Sequence, residues 1–153
     1  MALRMERLTR RAETQMVPQP VANEPGLVTV DATWGTISPI QIAPGVRTVG
    51  ELEVIEQILA GLPLVDTRQV HFYLQGTIPG ARNIPSEQVE ESIASLERGL
   101  RTVFFCNGPQ CAATPTAIHT LLAHGYPAEA VSFYRGGMHD WITLGLPIEL
   151  PAG

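Results

Sequence analysis

The chain has no lysine; all ten of its basic residues are arginine. That excludes a Walker-type phosphate loop and a lysine Schiff base, because both need the primary amine. Its two cysteines are too few for a disulfide scaffold. No apolar run reaches the length of a membrane span. Arg4, Arg7, Arg10 and Arg11 stand near the start with no apolar segment after them, which is not the pattern of a secretory signal. A net charge of −5 argues against nucleic acid as the main partner. The expectation is a cytoplasmic protein with reduced thiols that partners neither nucleic acid nor a membrane. There is no internal repeat and no low-complexity segment.

What is present suits one globular domain. The 153 residues are 44% hydrophobic against 16% charged, enough for a substantial core. Residues 1–25 carry scattered arginines, three prolines and no sustained apolar period, and read as a flexible or loosely docked extension. Residues 26–153 read as the single domain.

In that domain, Leu27 to Val30 is a short candidate strand, and Ile40 and Ile42, two apart, suit an extended segment that packs. Thr48 and Glu51 have the spacing of a capping box. Leu52, Ile55, Ile58 and Leu59 then predict the buried face of a helix that ends by Gly61. Leu64 and Val65 predict a buried strand, Val70 to Gln75 a short helical turn, and Gly76 to Pro85 a loop punctuated by proline and glycine. Ser86 is placed to cap a helix that buries Val89, Ile93 and Leu96. Val131 to Tyr134 is a further strand, followed by a turn at Arg135-Gly136-Gly137 and a short helix, His139 to Leu144, with Trp141 in the core.

The stretch from Thr102 to Gly125 organises the rest. Val103, Phe104 and Phe105 suit a buried strand, and Cys106 stands where it ends. Asn107, Gly108 and Pro109 are turn formers. Ala113, Ala117, Ile118, Leu121 and Leu122 recur at helical spacing, Thr114 and Pro115 suit a helix start, and Gly125 suits its end. Strands alternating with helices imply an α/β fold, a mainly parallel sheet with helices on both faces. The ligand site of such a sheet lies beyond the carboxyl ends of its strands. Asp66, Cys106 and Arg135 each follow a predicted strand and should gather there. A cysteine facing a helix N-terminus and loop N–H groups is expected to have a lowered thiol pKa.

Several segments in order resemble the rhodanese (sulfurtransferase) family. Leu64-Val65-Asp66-Thr67-Arg68 is similar to its Asp-x-Arg strand end. Gly76-Thr77-Ile78-Pro79-Gly80-Ala81 with Asn83-Ile84-Pro85 is similar to its G-H-I-P-G-A…N-I-P loop, Thr77 replacing the usual histidine. Val103 to Cys106 matches the strand that delivers the family's catalytic cysteine. Gly125-Tyr126, Gly136-Gly137, Trp141 and Gly145-Leu146-Pro147 match the closing pattern. The resemblance implies a rhodanese-like fold and a sulfurtransferase with no cofactor and no metal. A Cys106 thiolate would attack the outer sulfur of a donor such as thiosulfate, sulfite would leave, and a thiol or cyanide acceptor would take the sulfur from the Cys106 persulfide. A protein acceptor fits the same scheme. The substrate-binding loop would be Asn107, Gly108, Pro109, Gln110, Cys111 and Ala112, whose backbone N–H groups cradle developing negative charge.

The loop departs from the family's common C-x-x-G-x-R/T. Pro109 has no N–H to donate, and no arginine lies in the loop, so Arg135, Arg82 or Arg68 would have to reach in. Asp66 and Arg68 are expected to support the loops. Cys111 makes a C-x-G-P-x-C loop similar to a rhodanese subgroup, some members of which are fused to metal-responsive regulators. It would resolve the Cys106 persulfide, pair with it as a reversible disulfide, or stay inert. Neither cysteine has a histidine at zinc-ligand spacing, and His119 and His124 are expected to face solvent. The competing functions are a redox or persulfide sensor or scaffold, an arsenate reductase using both cysteines, and a phosphatase of the dual-specificity cell-cycle type. The phosphatase needs arginine where this chain has Ala112.

Overall fold

The computed structural model describes residues 37–151 and, ahead of them, 19–20, 23–25 and 28–29. Gln19–Pro20 (β1) pairs antiparallel with Val28–Thr29 (β2), so a two-strand ribbon straddles the expected boundary at residue 25. Most of the expected extension, and the remainder of the Leu27 to Val30 segment, lie outside the described residues.

The other strands form one sheet. They are Arg47–Val49 (β3), Leu64–Asp66 (β4), Arg82–Asn83 (β5), Thr102–Phe105 (β6) and Val131–Tyr134 (β7). Their order is β3-β7-β6-β4-β5, and every pairing is parallel. The helices are Glu51–Leu59 (α1), Val70–Leu74 (α2), Val89–Ser92 (α3), Ala113–Ala123 (α4) and Gly137–Thr143 (α5). This is the expected α/β architecture.

Strands buried on both faces are apolar without alternation, because each face meets a helix layer. On one face Val65, Phe104, Val131 and Phe133 pack with Val89 of α3 and Ala117, Ile118 and Leu121 of α4. On the other, Leu64, Val103, Phe105 and Tyr134 pack with Val54 of α1 and Met138 and Trp141 of α5. Burying side chains of this size contributes roughly 1.5–3 kcal/mol each. The register sets Asp66 beside Phe105 and Phe105 beside Tyr134, so the residues that follow leave one edge of the sheet together.

Five local expectations are corrected. Thr48 does not cap α1: it pairs in β3 with Phe133, and its hydroxyl donates to the Ile40 carbonyl. The helix starts two residues later, where the Glu53 carboxylate accepts the Gly50 N–H at 3.2 Å. Leu52 and Leu59 are 77% and 82% exposed, and α1 buries Val54 and Gln57 instead. The Gln57 amide donates to the carbonyls of Pro63 (3.0 Å) and Arg101 (2.6 Å), tying α1 to the approaches of β4 and β6. Of the pair Ile40 and Ile42, only Ile42 is buried. Arg82–Asn83, expected in a loop, forms the edge strand β5, and Ser86 makes no side-chain cap.

Candidate active site

The chain leaves β6 at Cys106 and enters α4 at Ala113, one to two residues before the expected start. Pro115 is tolerated at the third helical position because N–H groups of the first turn have no intrahelical partner to lose. Cys106, Asn107 and Gly108 are buried; Pro109, Gln110 and Cys111 are half-buried; Ala112 is exposed. The loop folds back on itself through the Cys111 N–H, which donates to the Gly108 carbonyl at 3.0 Å.

The Cys106 thiol donates to the Cys111 carbonyl oxygen at 3.6 Å. Thr114 stands beside the Cys106 sulfur, and the backbone of Asn107 and Ala113 beside the Cys111 sulfur, where they favour negative charge. The cradle therefore extends past Ala112 into the first turn of α4, which the sequence reading had not included. The Cys111 N–H, spent on Gly108, does not join it.

The electrostatics reverse the expectation for Cys106. Burial, then its hydrogen bond to Cys111, pushes the Cys106 thiol up, because a thiolate there loses its hydration. Cys111 is instead held down, to about 6. The main cause is the hydrogen bond from the Cys106 thiol, supported by the Ala113 and Asn107 N–H groups and the Arg68 charge. The loop thus favours a single negative charge on this pair of sulfurs.

Under the loop lies a fully bonded platform. The Arg68 guanidinium meets the Asp66 carboxylate at 2.7, 3.0 and 3.1 Å, and the Arg68 N–H donates to the same carboxylate at 3.0 Å. The Thr77 hydroxyl donates to Asp66 at 2.8 Å, which makes this replacement of histidine structural. Arg68 also donates to the Gly76 carbonyl at 2.6 Å and, at 3.4 Å, to Asn107 Oδ1. Asn83 donates to the carbonyls of Asp66 and Arg68. The buried hydroxyls of Thr67 and Thr114 are 2.9 Å apart, joining platform to cradle.

On the opposite side α5 clamps the loop: the Met138 N–H donates to the Cys106 carbonyl at 2.9 Å and the His139 N–H to the Asn107 carbonyl at 2.7 Å. Gly137 allows this approach. Its φ is +60°, and a Cβ there would stand 2.4 Å from the Cys106 carbonyl oxygen.

The three arginines expected to reach in separate. Arg68 is beneath the loop. Arg135 Nε donates to the Ser38 carbonyl at 2.9 Å, and Ser38 in turn donates to the Pro109 carbonyl from its N–H (2.8 Å) and hydroxyl (3.1 Å). Arg135 thus braces the loop's outer wall through Ser38. Arg82 is a correction: it lies exposed on the edge strand and donates to the Ser95 hydroxyl at 2.8 Å. Thr67, Thr114, Gly137 and Ser38 were missed. The glycine pair, a turn and part of the closing pattern in the sequence, was the one local signal. His119 and His124 face solvent as expected.

A parallel α/β sheet carrying a cysteine loop beyond its central strand, with N–H groups converging on sulfur, defines a class of thiol-centred domains. The profile of the rhodanese-like domain family matches residues 51–144. The chain belongs to that family. It is 32% identical over 98 residues to the HTH-type transcriptional regulator Rv0324 of Mycobacterium tuberculosis, covering 63% of this chain and 42% of that protein. The chain thus spans less than half the length of this curated relative. Thiosulfate sulfurtransferase from Pseudomonas aeruginosa is similar with a TM-score of 0.56 at 25% identity, over 68% of this chain and 20% of that one. The rhodanese-like domain of the Alr3790 protein from Anabaena sp. is similar with a TM-score of 0.55 at 27% identity, over 69% and 85% of the two chains. Among the described residues, no helix is long and apolar enough to cross a membrane.

Proposed function

We infer that this chain is a sulfurtransferase that moves a sulfane sulfur from a donor such as thiosulfate, or a persulfide, to a thiol acceptor through Cys106. The observation that carries this reading is the position of Cys106: it follows the central strand, its thiol donates to the Cys111 carbonyl, and the first turn of α4 stands beside both sulfurs. Such a cradle stabilises one negative charge before the donor arrives, so little reorganisation is needed when charge moves. Cys106 becomes the nucleophile by passing its proton to the neighbouring Cys111 thiolate. It then attacks the outer sulfur of thiosulfate, the S–S bond of the donor breaks, and sulfite leaves with the electron pair. Arg68, the cation nearest the loop, supports the anionic donor from below rather than from the mouth.

The test is intact-mass spectrometry of the reduced chain after thiosulfate and, separately, after a small persulfide. A gain of one sulfur, about 32 Da, that Cys106→Ser abolishes is the expected result. No gain from either donor refutes the reading.

A second reading, a persulfide or redox sensor, draws on the similarity to a transcriptional regulator. Turnover separates the two: a sensor takes up one sulfur and stops, whereas an enzyme continues to consume donor when acceptor thiol is supplied.

A further inference from the structure

Sulfur transfer needs one cysteine, and this loop holds two. Cys106 is 1% exposed, while Cys111 is only half-buried. The turn closed by the Cys111 N–H and the Gly108 carbonyl brings residue 111 back over residue 106, with the Cys106 Sγ 3.6 Å from the Cys111 carbonyl oxygen. The Cys106 thiol donates to the Cys111 carbonyl, which sets the two cysteine side chains side by side. Each sulfur also has its own donors, Thr114 for Cys106 and Asn107 with Ala113 for Cys111.

We propose that Cys111 is a second station for the transferred sulfur: the sulfane sulfur loaded on Cys106 passes to Cys111, and the acceptor takes it from there. This rests on the sulfurtransferase reading and deepens it. When Cys106 is persulfidated, the sulfane sulfur replaces the hydrogen now directed at the backbone of Cys111 and lies against that residue, next to the sulfur that thiol–disulfide exchange requires. Cys111 returns to the persulfide the proton it accepted during loading, and the resulting Cys111 thiolate attacks that outer sulfur. A bond forms from the Cys111 Sγ to the sulfane sulfur, and the bond from the sulfane sulfur to the Cys106 Sγ breaks. Its electron pair leaves with Cys106 as thiolate, and the proton stays on the sulfane sulfur. One thiolate and one persulfide stand on each side of the step, so no oxidant or reductant enters. The Thr114 hydroxyl and N–H receive the charge that returns to Cys106. The sulfur has then moved from a buried position to one that an acceptor thiol reaches more easily. The lowered Cys111 thiol keeps the attacking thiolate available at neutral pH.

The test localises the sulfur. The full chain is loaded with a small persulfide, alkylated and cleaved at arginine, which releases residues 102–135 as one peptide containing both cysteines. Fragmentation between Asn107 and Gln110 assigns the added sulfur. The expected result is sulfur on Cys111 in the wild type, none on either position in Cys106→Ser, and sulfur on Cys106 in both Cys111→Ser and Cys111→Ala. Release of that sulfur to an acceptor thiol should be slower by about tenfold or more in the Cys111 variants, because an intramolecular delivery is lost. Sulfur confined to Cys106 in the wild type, with Cys111 variants turning over at the wild-type rate, overturns the relay and leaves the sulfurtransferase reading intact. Loading of Cys111 in Cys106→Ser at the wild-type rate also overturns the relay, since the sulfur then comes straight from the donor. A Cys106–Cys111 disulfide, lighter by two hydrogens, in place of a Cys111 persulfide overturns it as well. No sulfur on any form refutes the sulfurtransferase reading itself. The wild-type measurement needs no variant to fold.

Discussion

The loops after β4 and β6 leave the same edge of the sheet from adjacent strands and treat their polar groups in opposite ways. After β4, Asp66 is saturated: the Arg68 guanidinium, the Arg68 N–H and the Thr77 hydroxyl fill its carboxylate, and Arg68 spends its remaining reach on Gly76 and Asn107. After β6, Asn107, Ala113 and Thr114 stand beside sulfur, a weak acceptor as a thiol and a strong one as a thiolate. A saturated loop is a platform. A loop whose donors are best satisfied by an anion is a place for negative charge to develop. The difference teaches that proximity to the edge of the sheet does not make a residue catalytic; what matters is whether its partners are already committed.

The largest effect expected is on chemistry alone. Cys106→Ser should abolish sulfur loading while shifting stability by less than about 1 kcal/mol, since it removes one buried sulfur and no ion pair. Sulfur uptake and chemical denaturation measured on the same sample check both halves. Arg68→Ala should do the converse, costing roughly 3–5 kcal/mol because it strands the buried Asp66 carboxylate. A denaturant midpoint near the wild type would break the contrast between platform and cradle.

Third comes pH. With Cys111 held down to about 6, both loop thiols are protonated below that pH, and one negative charge is present above it. Alkylation of Cys111 by iodoacetamide should therefore fall about tenfold per pH unit below the inflection and level off above it. A rate still climbing at pH 8 would mean that the donors do not hold the charge.

Gly137→Ala should cost more than about 1 kcal/mol and slow sulfur uptake, because the new methyl at positive φ strikes the Cys106 carbonyl. Thermal unfolding and uptake kinetics together check it, and a loss of stability with unchanged uptake would show that α5 does not set the loop. The smallest effect is expected far from both loops: Leu59→Ser, at an exposed helix position, should change stability by less than about 0.5 kcal/mol in a denaturant titration.

The strand–cysteine–turn–helix unit was legible because all its determinants are neighbours: Val103 to Phe105 as a buried run, Asn107 to Pro109 as turn formers, and Ala117, Ile118 and Leu121 at helical spacing. The parallel sheet followed from the alternation of such units. The start and face of α1 were not legible. Thr48 is claimed by a strand pairing with Phe133, eighty-odd residues away, and that ladder outweighs a local cap. Hydrophobicity ranks Leu52 and Leu59 above Gln57. Yet the glutamine is buried because it alone can satisfy the carbonyls of Pro63 and Arg101. Arg82 was misplaced for a similar reason: two residues of ladder beside Val65 and Asp66 turn it away from the loop, toward Ser95.

From residue order alone came the class of fold, the candidate nucleophile, the Asp66–Arg68 support and the presence of a second cysteine six positions into the loop. Those depend on short-range pattern and residue chemistry. The division of labour between the two sulfurs was decided only by tertiary structure. The sequence reading assigned the lowered thiol to Cys106 because it follows a strand and faces a helix. In the folded chain Cys106 is almost fully buried, which pushes its thiol up, while the Cys111 thiol is held down. A pKa is set by desolvation and by groups within a few ångströms, and those distances exist only once α4, α5 and the β4 loop have closed around the same point.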